Sequence, residues 1–278
     1  GGFIEATSYI RNNKSDQYYG MTLIEKKNNN IPGWKKSENF LKKHTNVYIE
    51  TGTTENGDLY HPDNFKYCFN NHQNSFHIIT GDGGFDFSSD FNNQEDQAFR
   101  LIFTQVMYAI AMQKYGGTFI LKIYDCFLLS TNQLIYLLSA FYSNVYISKP
   151  NTSRHANSEK YIICTDFKET DTTLISHKFM RVLTVLQKIK FNMYSISNII
   201  DLPINLYFKN HIEEINAIFG QQQIENIINT TKIVSFREKK TDKLNQSKNI
   251  NIQKCINWCI QNNIPYNKFI QPSNIFLS

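Results

Sequence analysis

The clearest pattern along the chain is a stripe of apolar residues over 94–114. Apolar side chains recur at positions 98, 99, 102, 103, 106, 107, 110 and 111, which is the spacing of one helix face. We expect Gly116-Gly117 to terminate this helix. The next segment, 118–124, is apolar except for Lys122, and this predicts a strand that is buried on both faces.

Shorter patterns divide the rest of the first 168 residues into alternating elements. They predict a helix over 3–11, strands over 18–23, 76–80, 144–148 and 160–165, and a helix capped by Ser130 or Thr131 that ends near Phe141. Loops are expected over 26–39 and 51–63, around a short apolar run at 47–50. The last two strands, joined by 149–159, are typical of a hairpin. This alternation predicts an α/β fold with a doubly wound sheet and helices on both faces.

Beyond about residue 170 the pattern becomes mainly helical. Helical spacing recurs over 174–190 and 211–229, and a last helix is expected over 252–262. The charged and polar stretch 232–251 is expected to be a solvated loop. The alternative is that this stretch contacts nucleic acid. We therefore divide the chain into a core, 1–168, and a mostly helical C-terminal extension, 169–278.

Composition narrows the class of protein. Of the 278 residues, 41% are hydrophobic and 14% aromatic, which is enough for a real core and excludes global disorder. No apolar run approaches the ~20 residues that a membrane span needs. Five cysteines, an odd number in mostly apolar surroundings, favour a reducing compartment over a secreted disulfide scaffold. Cys255 and Cys259 are a poor zinc motif, and the net charge of +5 permits an anionic partner without requiring one.

Four features carry candidate chemistry. Gly1-Gly2 opens a helix as in nucleotide-type loops, although glycines at helix starts are common. Asp82 follows a strand between glycines, where open α/β sheets bind ligands, or it caps its own turn. Lys122 in an apolar strand is a candidate base; the alternatives are an edge lysine and a pair with Asp125. Glu159 ends a loop that is rich in hydrogen-bonding groups, and loops on a rigid sheet often carry functional residues. The alternative is a polar hairpin loop with no such role.

Together, these features resemble a known family. The ordered motifs are Gly1-Gly2-Phe3-x-Glu5, Tyr19-Gly20-Met21-Thr22-Leu23, Gly57-Asp58-Leu59 near Pro62, Asp82-Gly83-Gly84-Phe85, Gly116 to Lys122, and Lys149-Pro150-x-Thr152-Ser153-Arg154-x-Ala156-Asn157-Ser158-Glu159-Lys160-Tyr161. Their order and spacing resemble FtsJ-type RNA ribose 2′-O-methyltransferases, over residues 1 to about 168. The last motif is most similar to the subgroup that forms cap 1 on messenger RNA. The glycine motifs are individually unspecific, whereas the ordered set is specific.

The resemblance implies a Rossmann-like methyltransferase fold and a set of site residues. The family uses a Lys-Asp-Lys-Glu tetrad, and Asp82, Lys122 and Glu159 match its last three members. The family's first lysine and first strand lie upstream of the glycine loop, so both are expected to fall outside this chain, which alone should bind its cofactor poorly. His155 replaces a frequent proline and should not remove a catalytic group. The implied reaction moves a methyl group from S-adenosylmethionine, leaving S-adenosylhomocysteine, to a ribose 2′-hydroxyl whose proton Lys122 takes, and it needs no metal.

The resemblance also implies which residues bind cofactor and RNA. The implied cofactor-binding residues are Gly1, Gly2, Phe3, Gly20, Met21, Thr22, Leu23, Asp58 and Asp82. Ser153, Arg154 and Asn157 are the candidate RNA contacts, since the planar guanidinium of arginine suits phosphate. Trp34 stacks on a cap base or, as for most tryptophans, packs inside. The implied partners are 5′-capped messenger RNA and proteins of a capping or transcription machinery, and no membrane. The composition suggests a large cytoplasmic DNA virus as the source. The expected location is intracellular: the host cytoplasm or the virion if the source is viral, and the nucleus if it is cellular.

Two alternatives share this fold. A ribosomal- or transfer-RNA 2′-O-methyltransferase would keep the tetrad and differ in RNA binding. A non-catalytic subunit or scaffold would lose a tetrad member, but all three positions that can be compared are intact. A base N-methyltransferase is disfavoured, because the strand end carries Asp82-Gly83-Gly84 and not the Asn/Asp-Pro-Pro-aromatic string of that class.

Overall fold

The described part of the chain forms two compact units. The computed structural model describes residues 1–25, 33–84, 92–189, 196–201, 203–235 and 241–266. One unit comprises 1–150 with 158–217, and the other comprises 151–157 with 218–278. The sheet and the three candidate catalytic residues belong to the first unit.

Helices and strands alternate through the first unit and give way to helices. In chain order they are α1 (Gly2–Arg11), β1 (Tyr18–Met21), a 3₁₀ turn (Lys35–Ser37), α2 (Glu38–Lys43), β2 (Val47–Glu50), α3 (Pro62–His72), β3 (Phe76–Gly81), α4 (Gln94–Met112), β4 (Gln113–Ile123), α5 (Leu129–Phe141), β5 (Tyr142–Ser148), β6 (Lys160–Phe167), α6 (Thr173–Lys188), α7 (Leu206–Ser235) and α8 (Thr241–Gln261). The expected α/β class with a helical C-terminal region is confirmed. Among the described residues, no helix is both long and apolar enough to cross a bilayer.

The strands form a mixed four-stranded sheet and a separate parallel pair. The larger sheet has the order β3-β4-β6-β5, and β1 pairs with β2. Strands β3 and β4 are parallel, whereas β6 runs antiparallel to both β4 and β5. The predicted hairpin of the last two strands is therefore confirmed. Its second strand lies next to β4, so that β6 is the direct neighbour of the strand that carries Lys122.

The core lies between the sheet and α4. This helix is hydrophobic almost all round, as a buried helix is, and its residues from Val106 to Ala111 are buried. In β4, Phe119, Leu121 and Ile123 are fully buried, while alternate residues on the other face are half-buried. The prediction that this strand is buried on both faces is therefore wrong, and Lys122 lies on the less buried face. Helix α6 packs onto the same core within the first unit, and the division at residue 168 stays a prediction.

The glycine pair after α4 does not end the helix. Helix α4 ends at Met112, and β4 begins at Gln113 and runs through both glycines. Two steps along β3, from Phe76 to Ile78, match five steps along β4, from Gln113 to Thr118. The extra residues form a bulge, and Gly116 takes a φ of 74° there, a conformation that glycine adopts without strain.

Several other element predictions need correction. Helix α5 begins at Leu129 with Leu128 as its N-cap, so Ser130 and Thr131 are buried residues inside its first turn and do not cap it. The expected loop over 26–39 contains the 3₁₀ turn and the start of α2, and its first part, 26–32, lies outside the described residues. The expected loop over 51–63 contains the start of α3 at Pro62. Proline suits the first helical turn, where its missing N–H is not needed. Residues 241–251 are helical in α8 and not loop.

Candidate active site

The candidate base and the candidate carboxylate meet at the ends of two neighbouring strands. Lys122 lies near the end of β4, and Asp82 directly follows β3, which pairs with β4 in parallel. The Lys122 Nζ lies 2.7 Å from Asp82 Oδ1 and 3.1 Å from the carbonyl oxygen of Asp82. The Lys122 side chain is 16% exposed and that of Asp82 is 49% exposed. The amine is therefore held from the protein side, while the carboxylate remains open to solvent.

The glycines around Asp82 have different roles. The Gly83 N–H donates to Gln105 Oε1 at 2.9 Å, and a Cβ on Gly81 or Gly83 would approach the same oxygen to 3.0 Å. These two glycines are therefore required by packing on α4. A Cβ on Gly84 would instead approach the Tyr124 hydroxyl to 3.1 Å and the Lys122 Nζ to 3.4 Å. The absence of a side chain at Gly84 therefore leaves space beside the amine.

Glu159 reaches this face of the sheet through Tyr161. Tyr161 is the direct partner of Lys122 in the antiparallel β4–β6 ladder, so the two side chains share a face. The Tyr161 hydroxyl donates to Glu159 Oε1 at 3.0 Å. Burial and the adjacent Glu159 carboxylate raise the pKa of Tyr161, as does the charge of Asp82. Burial also raises the pKa of Tyr124, where the charge of Lys122 opposes the effect and those of Asp82 and Glu159 add to it. The charges of all three predicted catalytic residues thus reach Tyr124, so the three residues lie near one another.

A second lysine lies on the opposite face of the same strand pair. Asp125 pairs with Lys160, at 3.2 Å between Oδ1 and Nζ, so the alternative that Asp125 pairs with Lys122 is wrong. The Lys160 Nζ also donates to the carbonyl oxygens of Tyr124 (3.2 Å) and Ser158 (3.1 Å). With its side chain 4% exposed, Lys160 ties the end of β4 to the start of β6.

Three of the predicted cofactor-binding residues, Gly1, Gly2 and Phe3, lie at the start of α1. Gly1 is the N-cap of this helix, and the N–H groups of its first turn have no partner within the helix. Such a turn suits a carboxylate, because the helix dipole is positive there. The Phe3 ring lies edge-on to the Tyr161 ring, with 6.3 Å between centroids. The first turn of α1 is thus in contact with the Lys122 face of the sheet.

Trp34 occupies the space beside two of the predicted cofactor glycines. A Cβ on Gly20 would collide with the indole, and one on Gly1 would collide with Ser37 and approach the indole to 3.3 Å. The indole Nε1 is buried, and among the described residues it has no hydrogen-bond partner. The packed interpretation of Trp34 therefore holds here. An adenosyl group along Gly20 would need this indole to move, whereas at the other end of the site the Asp82 side chain is 49% exposed.

Of the remaining predicted cofactor-binding residues, Asp58 lies in a loop, the side chain of Met21 packs in the core, and Leu23 is exposed. The backbone of Gly57 lies against the carbonyl of Thr22, which brings the Asp58 loop to the end of β1. Asp58 Oδ1 accepts a hydrogen bond from the Tyr60 N–H at 2.9 Å, so this carboxylate also shapes its own turn. The side chain of Met21 packs on Cys68 and the core, so Met21 can offer a ligand only its backbone. Leu23 is exposed.

The predicted RNA contacts belong to the second unit. Ser153, Arg154 and Asn157 lie within 151–157, where the Asn157 N–H donates to the Arg154 carbonyl at 3.3 Å. Their assignment to RNA stays a prediction. Among the described residues, no group of three or more His, Cys, Asp or Glu side chains is arranged to hold a metal ion.

The family is decided by a match over most of the chain. The FtsJ-like methyltransferase family matches residues 1–167 of the 278, a stretch that includes Asp82, Lys122 and Glu159. The chain belongs to this family. FtsJ-like methyltransferases use S-adenosylmethionine as the methyl donor. The resemblance drawn from the ordered motifs is therefore confirmed.

Named relatives of this FtsJ-like chain are cap-specific mRNA (nucleoside-2′-O-)-methyltransferases. The 1A protein of Caenorhabditis briggsae is 28% identical over 236 residues, covering 80% of this chain and 26% of that protein. Methyltransferase 1 of Homo sapiens is 32% identical over 177 residues, covering 60% of this chain and 20% of that protein. The Caenorhabditis briggsae 1B protein, named inactive, is 26% identical over 236 residues, covering 80% and 27%. The chain thus spans about a quarter of the length of these relatives.

Sequence reasoning on this FtsJ-like chain missed the residues that hold the three predicted catalytic residues and their loops in place. Gln105 fixes Gly83, Lys160 fixes the strand ends, and Tyr161 contacts Glu159. Two of them stand in the Glu159-Lys160-Tyr161 string that carried the resemblance. Side chains alternate between the two faces of a strand, so the predicted strand over 160–165 implies that Lys160 and Tyr161 lie on opposite faces.

Proposed function

We propose that this chain methylates ribose 2′-hydroxyls of RNA, with the first transcribed nucleotide of capped messenger RNA as the preferred substrate. One observation carries the proposal: the Lys122 amine is fixed by Asp82 on the same sheet face as the Tyr161–Glu159 pair. A hydroxyl is a weak nucleophile, so its methylation needs a positioned base beside it. The names of the relatives support the choice of capped messenger RNA.

The residues that would hold the cofactor lie around the open end of the site. S-adenosylmethionine, when bound, supplies an electrophilic methyl group. The first-turn N–H groups of α1, behind Gly1, would bind its carboxylate, and Asp58 would bind ribose hydroxyls. The half-exposed Asp82 carboxylate and the bare backbone of Gly84 leave room beside Lys122 for the reacting groups. The indole of Trp34 has to leave the face of Gly20 for the adenosyl group to lie there.

Lys122 is the base in this proposal. In its neutral form, Nζ takes the proton of the 2′-hydroxyl while the oxygen gains the methyl group. The ammonium so formed is stabilised by Asp82 Oδ1 at 2.7 Å, and the Asp82 carbonyl keeps Nζ in place in both protonation states. Glu159 adds a second negative charge near the same face. General-base catalysis of this kind contributes about 10²–10⁴-fold.

The presence of an inactive relative makes a non-catalytic scaffold the second candidate function. The intact Asp82, Lys122 and Glu159 and their contacts favour catalysis. Proteins of a capping machinery as partners, an intracellular location and a viral source stay predictions.

The test is methyl incorporation from radiolabelled donor into matched RNAs. We expect label on RNA with an unmethylated first nucleotide behind a cap, less on the same RNA without a cap, and none with Lys122→Ala. Equal labelling of capped and uncapped RNA would favour the ribosomal- or transfer-RNA alternative. Binding of donor without any transfer would favour the scaffold, and full activity of Lys122→Ala would refute the assigned base.

A further inference from the structure

We propose that Tyr161 is a positioning residue that holds the Glu159 carboxylate toward Lys122, an inference that rests on the proposed function. Three contacts meet at this one side chain. Its ring stands opposite Lys122 across the β4–β6 ladder, its hydroxyl donates to Glu159 Oε1 at 3.0 Å, and its edge meets Phe3 at 6.3 Å between centroids. Glu159 precedes β6 and is thereby tied to the strand by a side chain within it.

The Tyr161 hydroxyl acts as a donor. Its titratable neighbours are Glu159, Asp82 and Tyr124, and burial together with these neighbours raises the pKa of the phenol. The phenol therefore keeps its proton across the working pH range. A donor that keeps its proton holds the carboxylate that accepts from it in one orientation. Glu159 is thus oriented on the sheet face that carries Lys122, where its carboxylate can stabilise an ammonium.

The Phe3 contact extends this role to the start of α1. Phe3 lies in the first turn of that helix, among the residues proposed to bind the methionine end of the donor. One ring thus links the proposed donor-binding turn to the tetrad carboxylate. Removing the hydroxyl breaks the Glu159 contact and leaves the ring contact with Phe3 in place.

The variant Tyr161→Phe removes the hydroxyl contact with Glu159 and keeps the ring contact with Phe3, and Tyr146→Phe is the matched control. Tyr146 lies on the adjacent strand β5 and is 55% exposed. A hydrogen bond to a charged group carries enough free energy for us to expect kcat to fall about 10-fold in Tyr161→Phe. KM for RNA and donor should change less than about twofold, because the hydroxyl acts through Glu159 and not on either ligand. Tyr146→Phe should match the wild type.

Two readouts distinguish positioning from packing. In a Glu159→Gln background, Tyr161→Phe should cause no further loss of kcat, since the acceptor charge is already gone. The carboxyl-carbon NMR signal of Glu159 at a single pH, assigned with Glu159→Gln, should change position in Tyr161→Phe and stay unchanged in Tyr146→Phe, because only the first variant removes the hydrogen bond to Oε1.

The outcomes separate the two proposals. Additive losses in the double variant, or an unchanged carboxyl-carbon signal of Glu159, would overturn the positioning role. A fall in kcat matched by an equal loss in thermal stability, with no change in that signal, would assign Tyr161 to packing and also overturn it. If the wild type methylates neither capped nor uncapped RNA, the proposed function is wrong, and the carboxyl-carbon signal alone then decides on the Tyr161–Glu159 contact.

Discussion

Two lysines at one strand end should respond in opposite ways to the same substitution. Lys122 and Lys160 flank the junction of β4 and β6, and methionine preserves much of the length of either side chain. We expect Lys122→Met to lower activity strongly with little effect on stability. We expect Lys160→Met to lower the free energy of unfolding substantially. The contrast follows from what each amine contacts and how far water reaches it.

The stability cost of Lys122→Met is limited by solvent. Its partner Asp82 has a side chain that is 49% exposed, so water replaces the lost ion pair. Ion pairs in such surroundings contribute roughly 0–1 kcal/mol, and the expected loss of stability is below about 1 kcal/mol. Activity should fall by the contribution of the base, about 10²–10⁴-fold.

The cost of Lys160→Met comes from groups left without a donor. The 4% exposed side chain carries an amine that satisfies two carbonyl oxygens and the carboxylate of Asp125. Removing one partner of a fully buried pair costs about 3–5 kcal/mol, an upper bound here because the Asp125 side chain is 29% exposed. Relief from burying the ammonium offsets part of it, so we expect about 2–4 kcal/mol.

Urea unfolding followed by circular dichroism, with methyl transfer measured on the same preparations, provides the assay. Lys42→Met is the control, since Lys42 pairs with Glu38 on a helix surface where the two side chains are 68% and 64% exposed. It should change stability by about 0.3–0.5 kcal/mol. The reasoning fails if Lys122→Met destabilises the fold as much as Lys160→Met does. It fails equally if Lys160→Met costs no more than the control.

Three further substitutions or treatments test the site and the core. Gly84→Val should lower methyl transfer at unchanged folding, because a Cβ there already approaches the Lys122 Nζ to 3.4 Å; wild-type rates would show that this space is not used. Gly20→Ala should displace the indole of Trp34, seen as a red shift of its fluorescence in a Trp258→Phe background; an unchanged spectrum would contradict the packing. Burial raises the pKa of three thiols to about 12, so at pH 8 they should not react with a disulfide reagent until the chain unfolds, whereas the exposed Cys255 should react at once. The buried thiols are Cys68, Cys126 and Cys164.

The sequence predicted most of the strands, but it did not predict that β4 begins directly after α4 or that β4 contains a bulge. Periodicity identified α4 and most of the strands because their apolar spacing is strong, but it did not identify the short run at 47–50 as the strand β2. It misplaced the role of Gly116-Gly117, because a glycine pair marks a helix end and a strand bulge equally well. Helix α3 was missed because its apolar residues are few and mixed with asparagines, and its burial against α4 stabilises it.

The site was predicted unevenly for a physical reason. Asp82, Lys122 and Glu159 could be named because polar residues at strand ends stand out against apolar strands. Which carboxylate pairs with which lysine could not, since Asp125 is nearer to Lys122 along the chain than Asp82 is. Strand pairing decides it, because β3 brings Asp82 to one face of β4 and β6 brings Lys160 to Asp125.

The dipeptide Lys160-Tyr161 shows how β6 serves both the fold and the site. Its two side chains point to opposite faces of the sheet, opposite Ile123 and Lys122 respectively. On the buried face, Lys160 fixes the end of β4 to the start of β6. On the more open face, Tyr161 holds Glu159 in the neighbourhood of the amine. Because both residues belong to one strand, the contact that stabilises the strand junction also fixes the position from which Glu159 is proposed to act. A shift of β6 by one residue would exchange the two faces and break both functions together.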